Sequence, residues 1–234
     1  MALSGPTLAP RQGPATHLVV LVHGYGADGN DLIGLASHWQ DLLPTVAFAA
    51  PNAPTRTPGA PGYQWFPITR IDPHLMSQGV EMAGPVLDEY LDAELARLGI
   101  PPENLALAGF SQGTMLSLHV GLRRKVKPAA IVGFSGMLAG KPPVNSKEAG
   151  DIPPILLTHG DSDQVIPPQA LFMAALALGE AGACVQWHLA PGMGHGIDPE
   201  GLAIAGQFLN LGFRGLLKST VETACTYKPS QRIS

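Results

Sequence analysis

The length and composition of this chain are typical of a single globular domain. At 234 residues it can bury a large core, and 14% charged residues with a net charge of −4 argue against a basic nucleic-acid surface. No stretch of about 18 uninterrupted apolar residues occurs, so no membrane-spanning segment is predicted. Prolines and glycines interrupt the first 16 residues, where a secretory signal needs a continuous apolar run. We therefore expect a cytoplasmic protein.

Short apolar runs alternate with helical patterns along the chain. The apolar runs predict buried strands at 17–22, 46–50, 105–108, 129–134, 155–158 and 183–189. Helices are predicted between them at 86–98, 112–124, 168–181 and 199–211. This alternation predicts an α/β protein with a doubly wound, mostly parallel sheet flanked by helices. Ligands of such sheets bind outside the carboxyl ends of the strands, so candidate site residues should follow strands.

One connection between the predicted elements is unusually long. Residues 54–79 show no helical pattern, yet they include several aromatic and aliphatic side chains. Loops of this length are usually functional or disordered, and two interpretations stay open: a flap over the site or a cover for the sheet edge. The predicted domain spans 17–213, with an N-terminal extension at 1–16 and a C-terminal tail at 214–234 that is peripheral.

The segment 109–113 (GFSQG) follows a predicted strand and precedes a predicted helix. In this context G-x-S-x-G is typical of a nucleophile elbow, where the serine occupies a strained turn at the edge of the sheet. Ser111 is therefore the candidate nucleophile. The backbone amide of Gln112 is a candidate oxyanion donor at a helix N-terminus. A second donor should follow an early strand, and the amide of Tyr25, in the segment HGYG, fits that position.

A catalytic serine of this kind needs a histidine that follows it in the chain. Four histidines follow Ser111. His119 lies in a predicted helix, His188 lies in a predicted strand, and His159 ends a strand and would order its loop. His195 lies in the segment GMGHG after the last predicted strand, where glycines on both sides let the imidazole reach the serine. We therefore predict His195 as the base.

The carboxylate that orients the imidazole should follow a strand between the serine and the histidine. Asp161 and Asp163 both lie in such a segment, 159–167 (HGDSDQVIP). Spacing alone does not decide between two aspartates that lie two residues apart. One of them should orient the imidazole, and the other should bind backbone amides of its own loop.

Together these motifs resemble the phospholipase/carboxylesterase family, which includes bacterial carboxylesterases and acyl-protein thioesterases. The matching segments follow the order and approximate spacing of that family across about residues 17–212, and they are 21–31, 51–54, 109–113, 159–167 and 192–196. The resemblance implies an α/β-hydrolase fold with a minimal cap. It also implies Ser111 as nucleophile, His195 as base and acid, and Asp163 as the orienting carboxylate.

The resemblance also bears on the substrate-binding residues. It implies that the amides of Tyr25 and Gln112 form the oxyanion hole, and residues 65–66 look like a W-[FY] pair of the family. We expect Trp65, Phe66 and Met193 to contact the substrate. Tyr25 departs from the family pattern, because many relatives carry Leu there, and this difference would alter the acyl pocket.

The function predicted from the sequence is that of a serine carboxylesterase. It would hydrolyse carboxylic esters or thioesters through an acyl-enzyme on Ser111, without a metal or an organic cofactor. A lysophospholipase or an acyl-protein thioesterase with the same triad is the nearer alternative, and a non-catalytic binding module on this fold is the more distant one. The expected partner is a small-molecule ester, with no nucleic acid and no stable membrane insertion, and the chain is expected to be a monomer or a homodimer.

Overall fold

The computed structural model describes residues 3–143 and 152–217. Two sheets, six α-helices and a 3₁₀ turn at Pro102–Asn104 make up this part of the chain. The strands are β1 (Thr7–Leu8), β2 (His17–Val22), β3 (Val46–Ala49), β4 (Thr55–Arg56), β5 (Tyr63–Gln64), β6 (Leu105–Phe110), β7 (Ala130–Phe134), β8 (Ile155–Gly160) and β9 (Val185–Ala190). The helices are α1 (Gly29–Ile33), α2 (Ala36–Trp39), α3 (Pro73–Leu98), α4 (Gln112–Arg123), α5 (Gln169–Glu180) and α6 (Pro199–Phe213).

The main sheet has seven strands in the order β1-β3-β2-β6-β7-β8-β9. Neighbouring strands are parallel except β1, which pairs antiparallel with β3. The prediction of a doubly wound, mostly parallel sheet flanked by helices is confirmed. Residues ahead of position 17 supply the edge strand β1. The chain runs outward from β2 to β3 and returns to β6 on the other side of β2, and sheets of this kind bind ligands at such a reversal.

Alternating side chains of the strands build two apolar layers. In β2, Leu18, Val20 and Val22 belong to the layer beneath α3, α4 and α5. Val19 and Leu21 point to the other face and belong to the layer beneath α1, α2 and α6. All five are fully buried, and each burial contributes about 1.5–3 kcal/mol. The strand ends that carry the site therefore project from a sheet that is covered on both faces.

Helix α3 begins well before the predicted start at residue 86, and the prediction that 54–79 contains no helix is wrong. The helix starts at Pro73, and the carboxylate of Asp72 accepts hydrogen bonds from the amides of His74 and Leu75 at 3.0 and 3.1 Å. Proline fits the first helical position because its missing N–H would have no partner there. The pair Asp-Pro is therefore a helix-start signal, although a proline in a loop suggests a break.

Two further residues hide the helical pattern of α3. A Cβ on Gly79 would lie 2.2 Å from the ring of Phe66, so the absence of a side chain there lets the aromatic ring pack against the helix. Pro85 lies inside the helix, where proline is normally unfavourable. The first part of the long connection is a small hairpin made by β4 and β5. Tertiary packing therefore decides the structure of this region.

Two short helices and the C-terminal tail complete the comparison of the predicted elements with the structure. The short helices α1 and α2 follow the loop after β2 and were not predicted. The predicted tail at 214–234 lies outside the described residues from position 218 onward. Within 3–143 and 152–217, no helix combines the length and the apolar character that crossing a bilayer requires.

Candidate active site

Ser111 occupies the sharp turn between β6 and α4. Its φ of 54° lies in the left-handed region, which costs a residue with a side chain about 1–3 kcal/mol. The turn is held by a 2.9 Å hydrogen bond from its amide to the carbonyl of Phe134. A Cβ on Gly113 would lie 1.8 Å from the carbonyl oxygen of Val22, and one on Gly109 would lie 2.3 Å from the carbonyl oxygen of Gly113. The elbow therefore needs both glycines for close backbone contact.

Three predicted residues form one chain of hydrogen-bonding side chains. Nε2 of His195 lies 3.0 Å from Oγ of Ser111, and Nδ1 of His195 lies 2.7 Å from Oδ2 of Asp163. The serine follows β6, the aspartate follows β8 and the histidine follows β9, so the carboxyl edge of the sheet brings them together. With an ionised carboxylate beside Nδ1, that nitrogen donates, and Nε2 is free to accept the proton of the serine.

The side chain of Asp163 is completely buried, and three hydrogen bonds reach its two oxygens. Its Oδ1 accepts hydrogen bonds from the amides of Val165 and Ile166 at 2.8 and 2.9 Å. Nε2 of His159 lies 3.2 Å from Oδ2 and 2.8 Å from the carbonyl oxygen of Ile166. A buried charge requires such partners, and here they also fix the orientation of the carboxylate toward His195. His159 thus orders the acid loop directly.

Asp161, the other candidate acid, faces the backbone of the histidine loop. Its Oδ1 accepts hydrogen bonds from the amide of Gly192 and the hydroxyl of Ser162, both at 2.8 Å. The amide of Ser162 donates to the carbonyl of Met193 at 2.9 Å. The structure therefore separates the two aspartates that spacing could not: Asp163 lies beside the imidazole, and Asp161 ties two loops together.

The two predicted oxyanion donors flank the nucleophile. A Cβ on Gly24 would lie 3.3 Å from Cβ of Ser111, so the Gly24–Tyr25 backbone borders the serine. Gln112 is the first residue of α4, where the helix dipole favours negative charge. In the described part of the chain, neither the Tyr25 amide nor the Gln112 amide donates to a backbone carbonyl. Both donors are therefore available to a ligand.

His23 directly precedes the glycine of the predicted oxyanion loop, and no role was predicted for it from the sequence. It is completely buried, and burial lowers its pKa below the usual value for histidine. Its Nδ1 lies 2.7 Å from the carbonyl oxygen of Gly24, and its Nε2 accepts a 3.0 Å hydrogen bond from the amide of Ala53. The neutral ring therefore donates to the Gly24 carbonyl and fixes the peptide that carries the Tyr25 amide.

The three predicted substrate contacts differ in their surroundings. Trp65 and Phe66 are 3% and 1% exposed and belong to the core. The side chain of Gln112 accepts from the Trp65 amide at 3.0 Å and donates to the Phe66 carbonyl at 2.8 Å, and the Trp65 indole donates to the His23 carbonyl at 3.0 Å. Met193 is partly buried in the loop after β9. Contact of these side chains with substrate stays a prediction.

One group of side chains in the described residues has the arrangement of possible metal ligands, although the sequence suggested no such cluster. The ligand atoms of His188, Asp198 and Glu200 lie within 4.8 Å of one another. Nε2 of His188 lies 3.1 Å from Oδ2 of Asp198, and the same oxygen accepts a 2.9 Å hydrogen bond from the amide of Gly201 at the start of α6. These contacts give the group a structural role in capping the helix.

Comparison with known proteins gives a match over most of the chain. A family model described as phospholipase/carboxylesterase matches residues 4–212. Acyl-protein thioesterase 1 from Gibberella zeae is 29% identical over 226 residues, covering 87% of this chain and 94% of that protein. Acyl-protein thioesterase 1 from Schizosaccharomyces pombe is 35% identical over 161 residues, covering 65% and 70%. The crystal structure of esterase PE8 is 41% identical with a TM-score of 0.83, covering 93% of this chain and all of that one.

Proposed function

We propose an acyl-enzyme mechanism on Ser111 for this chain, which belongs to the phospholipase/carboxylesterase family and is a serine hydrolase of carboxylic esters or thioesters. The observation that carries the proposal is the continuous arrangement of Ser111, His195 and Asp163, with 3.0 and 2.7 Å between the paired atoms. A histidine held by a buried carboxylate is the arrangement that makes a serine hydroxyl nucleophilic at neutral pH.

The first half of the reaction forms the acyl-enzyme. Oγ of Ser111 attacks the carbonyl carbon, Nε2 of His195 takes the hydroxyl proton, and the carbonyl π electrons move onto oxygen. The amides of Tyr25 and Gln112 stabilise this oxyanion, and each such donor contributes on the order of 10²–10³ in rate. When the tetrahedral intermediate collapses, the bond to the alcohol or thiol breaks, and the leaving group receives the proton from His195.

The second half of the reaction restores the enzyme. Water takes the position of the leaving group, and His195 removes one of its protons as the oxygen attacks the acyl carbon. Collapse of the second tetrahedral intermediate releases the carboxylic acid and returns the proton to Ser111. Asp163 stays ionised throughout and stabilises the imidazolium that forms in both halves.

We place simple carboxylic esters first among the substrates and protein thioesters second. The esterase neighbour shares 41% of its sequence with this chain, whereas the curated acyl-protein thioesterases described above share 29% and 35%. The substrate is a small molecule rather than a nucleic acid, which the net charge of −4 supports. One chain supplies all three members of the triad, so the proposed chemistry can proceed in a monomer or in each half of a homodimer.

The test compares the wild type with Ser111→Ala on p-nitrophenyl esters from acetate to decanoate and on thioesters of the same acyl lengths. The control is Ser37→Ala, because Ser37 is an exposed serine with a hydrogen bond to the Gly34 carbonyl and lies outside the site. We expect Ser111→Ala to lose activity by on the order of 10⁶ and Ser37→Ala to keep it. Activity of Ser111→Ala within tenfold of the wild type would refute the proposal.

A further inference from the structure

Ser135 directly follows β7, the strand between β6 and β8. It is completely buried, and its φ is 45°. Among the described residues, only Ser111 and Ser135 combine a side chain with a positive φ. A residue with a Cβ is disfavoured in this region, so the surroundings must hold Ser135 in place.

The backbone around Ser135 touches the segments that carry the other site residues. The amide of Ser135 donates to the carbonyl of Thr158, two residues before the end of β8, at 2.8 Å. The carbonyl of the preceding residue, Phe134, accepts the hydrogen bond from the amide of Ser111. Position 135 is therefore joined to the elbow on one side and to the strand that leads to Asp163 on the other.

The side chain of Ser135 reaches the third segment. Its hydroxyl donates a 2.8 Å hydrogen bond to the carbonyl of Gly196, the residue directly after His195. The left-handed backbone of Ser135 sets the direction of this hydroxyl, because a change in φ moves Cβ and its substituent. The strained backbone of Ser135 therefore directs its hydroxyl toward the Gly196 carbonyl.

We propose that Ser135 is a positioning residue for His195 and acts through the carbonyl of Gly196; this inference rests on the proposed acyl-enzyme mechanism. The histidine loop is held before the imidazole by Asp161, at the amide of Gly192, and after it by the Ser135 hydroxyl. Glycines 194 and 196 leave the backbone on either side of His195 with wide conformational freedom. These anchors, with the hydrogen bond from the Ser162 amide to the Met193 carbonyl, restrict that freedom on both sides of His195.

The effect of losing the hydrogen bond from Ser135 to the Gly196 carbonyl follows from the geometry of the triad. The imidazole must keep both the 3.0 Å contact with Ser111 and the 2.7 Å contact with Asp163. A displacement of about 1 Å in a catalytic group costs up to about 100-fold in rate. We therefore expect Ser135→Ala to lower kcat by about 10- to 100-fold and to change KM by less than about twofold.

The experiment uses the full chain and compares two variants at Ser135 with a matched control and with a background variant. Ser135→Ala removes the hydroxyl but keeps Cβ, and Ser135→Gly removes the hydroxyl while relieving the backbone strain. Ser37→Ala deletes a serine hydroxyl that also donates to a glycine carbonyl but lies away from the site. His195→Ala supplies a background without the imidazole. The measurements are kcat and KM on an activated p-nitrophenyl ester, the rate of inactivation by a fluorophosphonate, and the Tm.

We expect Ser135→Ala and Ser135→Gly to lose kcat and fluorophosphonate reactivity in parallel, although the glycine variant has the higher Tm of the two. In the His195→Ala background, Ser135→Ala should have no further effect on the residual rate, because Ser135 acts through the imidazole. Activity within twofold of the wild type for either Ser135 variant would overturn the inference. A full additional loss in the His195→Ala background would overturn it too, since the role would then be structural.

A separate Ser111→Ala arm distinguishes failure of the inference from failure of the mechanism. Loss of activity in Ser111→Ala with normal activity in Ser135→Ala rejects only the positioning role. Normal activity in Ser111→Ala rejects the acyl-enzyme mechanism and the inference with it.

Discussion

Replacing Asp163 by asparagine should disable the site without enlarging or emptying any space. The change converts one carboxylate oxygen into an NH₂ group. Oδ1 accepts hydrogen bonds from the amides of Val165 and Ile166, so the remaining oxygen will stay at that position. The NH₂ group then takes the place of Oδ2 and faces Nδ1 of His195, 2.7 Å away in the wild type.

Two donors cannot face each other at that distance, so the imidazole must change its tautomer. Nδ1 becomes the acceptor, and Nε2 carries the proton and points it at Ser111, where it cannot accept another. The wrong tautomer in a serine triad costs about 10⁴ in kcat, equivalent to about 5.5 kcal/mol at 1.4 kcal/mol per tenfold. The second hydrogen of the new NH₂ group would face Nε2 of His159, which lies 3.2 Å from Oδ2 and already donates to the Ile166 carbonyl, and an unsatisfied buried donor costs about 1–3 kcal/mol of stability.

The matched control is Asp161→Asn in the same loop. Asp161 uses one oxygen to accept from the Gly192 amide, and an asparagine oxygen can do the same. We expect this variant to stay within about fivefold of the wild type in kcat, because the asparagine oxygen can accept from both the Gly192 amide and the Ser162 hydroxyl. The assay is steady-state hydrolysis of p-nitrophenyl butyrate, with urea unfolding of each variant. A kcat for Asp163→Asn above a tenth of the wild type, or a loss of much more than fivefold in kcat for Asp161→Asn, would contradict this reasoning.

Two further predictions concern stability. Gly113→Ala should lower the free energy of unfolding by about 3 kcal/mol or more, because its Cβ would meet the carbonyl oxygen of Val22. Gly34 has open space around it, so Gly34→Ala should change that free energy by less than about 1 kcal/mol. Urea unfolding measures both variants, and equal values would refute the elbow argument. Burial, helped by the charge of Arg123, lowers the pKa of His119 from its usual value to about 4. Between pH 6.5 and about 4 the imidazole of His119 therefore binds a proton more readily in the unfolded chain than in the folded one. Its contribution to the free energy of unfolding is present above pH 6.5 and is lost as the pH falls through that window. His119→Gln should have a flatter dependence of unfolding free energy on pH there, and an unchanged slope would show that His119 is not the group responsible.

The sequence was informative wherever one local pattern decided the structure. Strand β2 has the predicted bounds, and α4 differs from its prediction by one residue at its end, because a continuous apolar run marks the strand and the serine elbow marks the start of the helix. The elbow at Ser111 was recognisable because backbone contact forces glycine on both sides of the serine. The histidine loop was recognisable for a related reason, since glycines flank His195 in the sequence.

Features that depend on distant neighbours were not predictable. The start of α3 has a local signal in Asp72 and Pro73, but the helix also depends on a ring that packs over Gly79 from the preceding loop. The choice between Asp161 and Asp163 depends on which carboxylate faces the imidazole, and residues two apart in a loop carry no signal for that. Ser135 showed no motif at all, because its importance comes from a backbone angle and from one carbonyl 61 residues away.

The order of the strands also determines when the site can form during synthesis and folding. Ser111 and His195 are 84 residues apart, and β9, which precedes the histidine, is the last of the described strands along the chain and lies at the edge of the sheet. A nascent chain or a truncated fragment that ends before β9 lacks His195, the residue proposed as the base. Under the proposed mechanism, catalytic turnover therefore requires that β9 has docked on β8, and hydrolysis reports that this strand is in place.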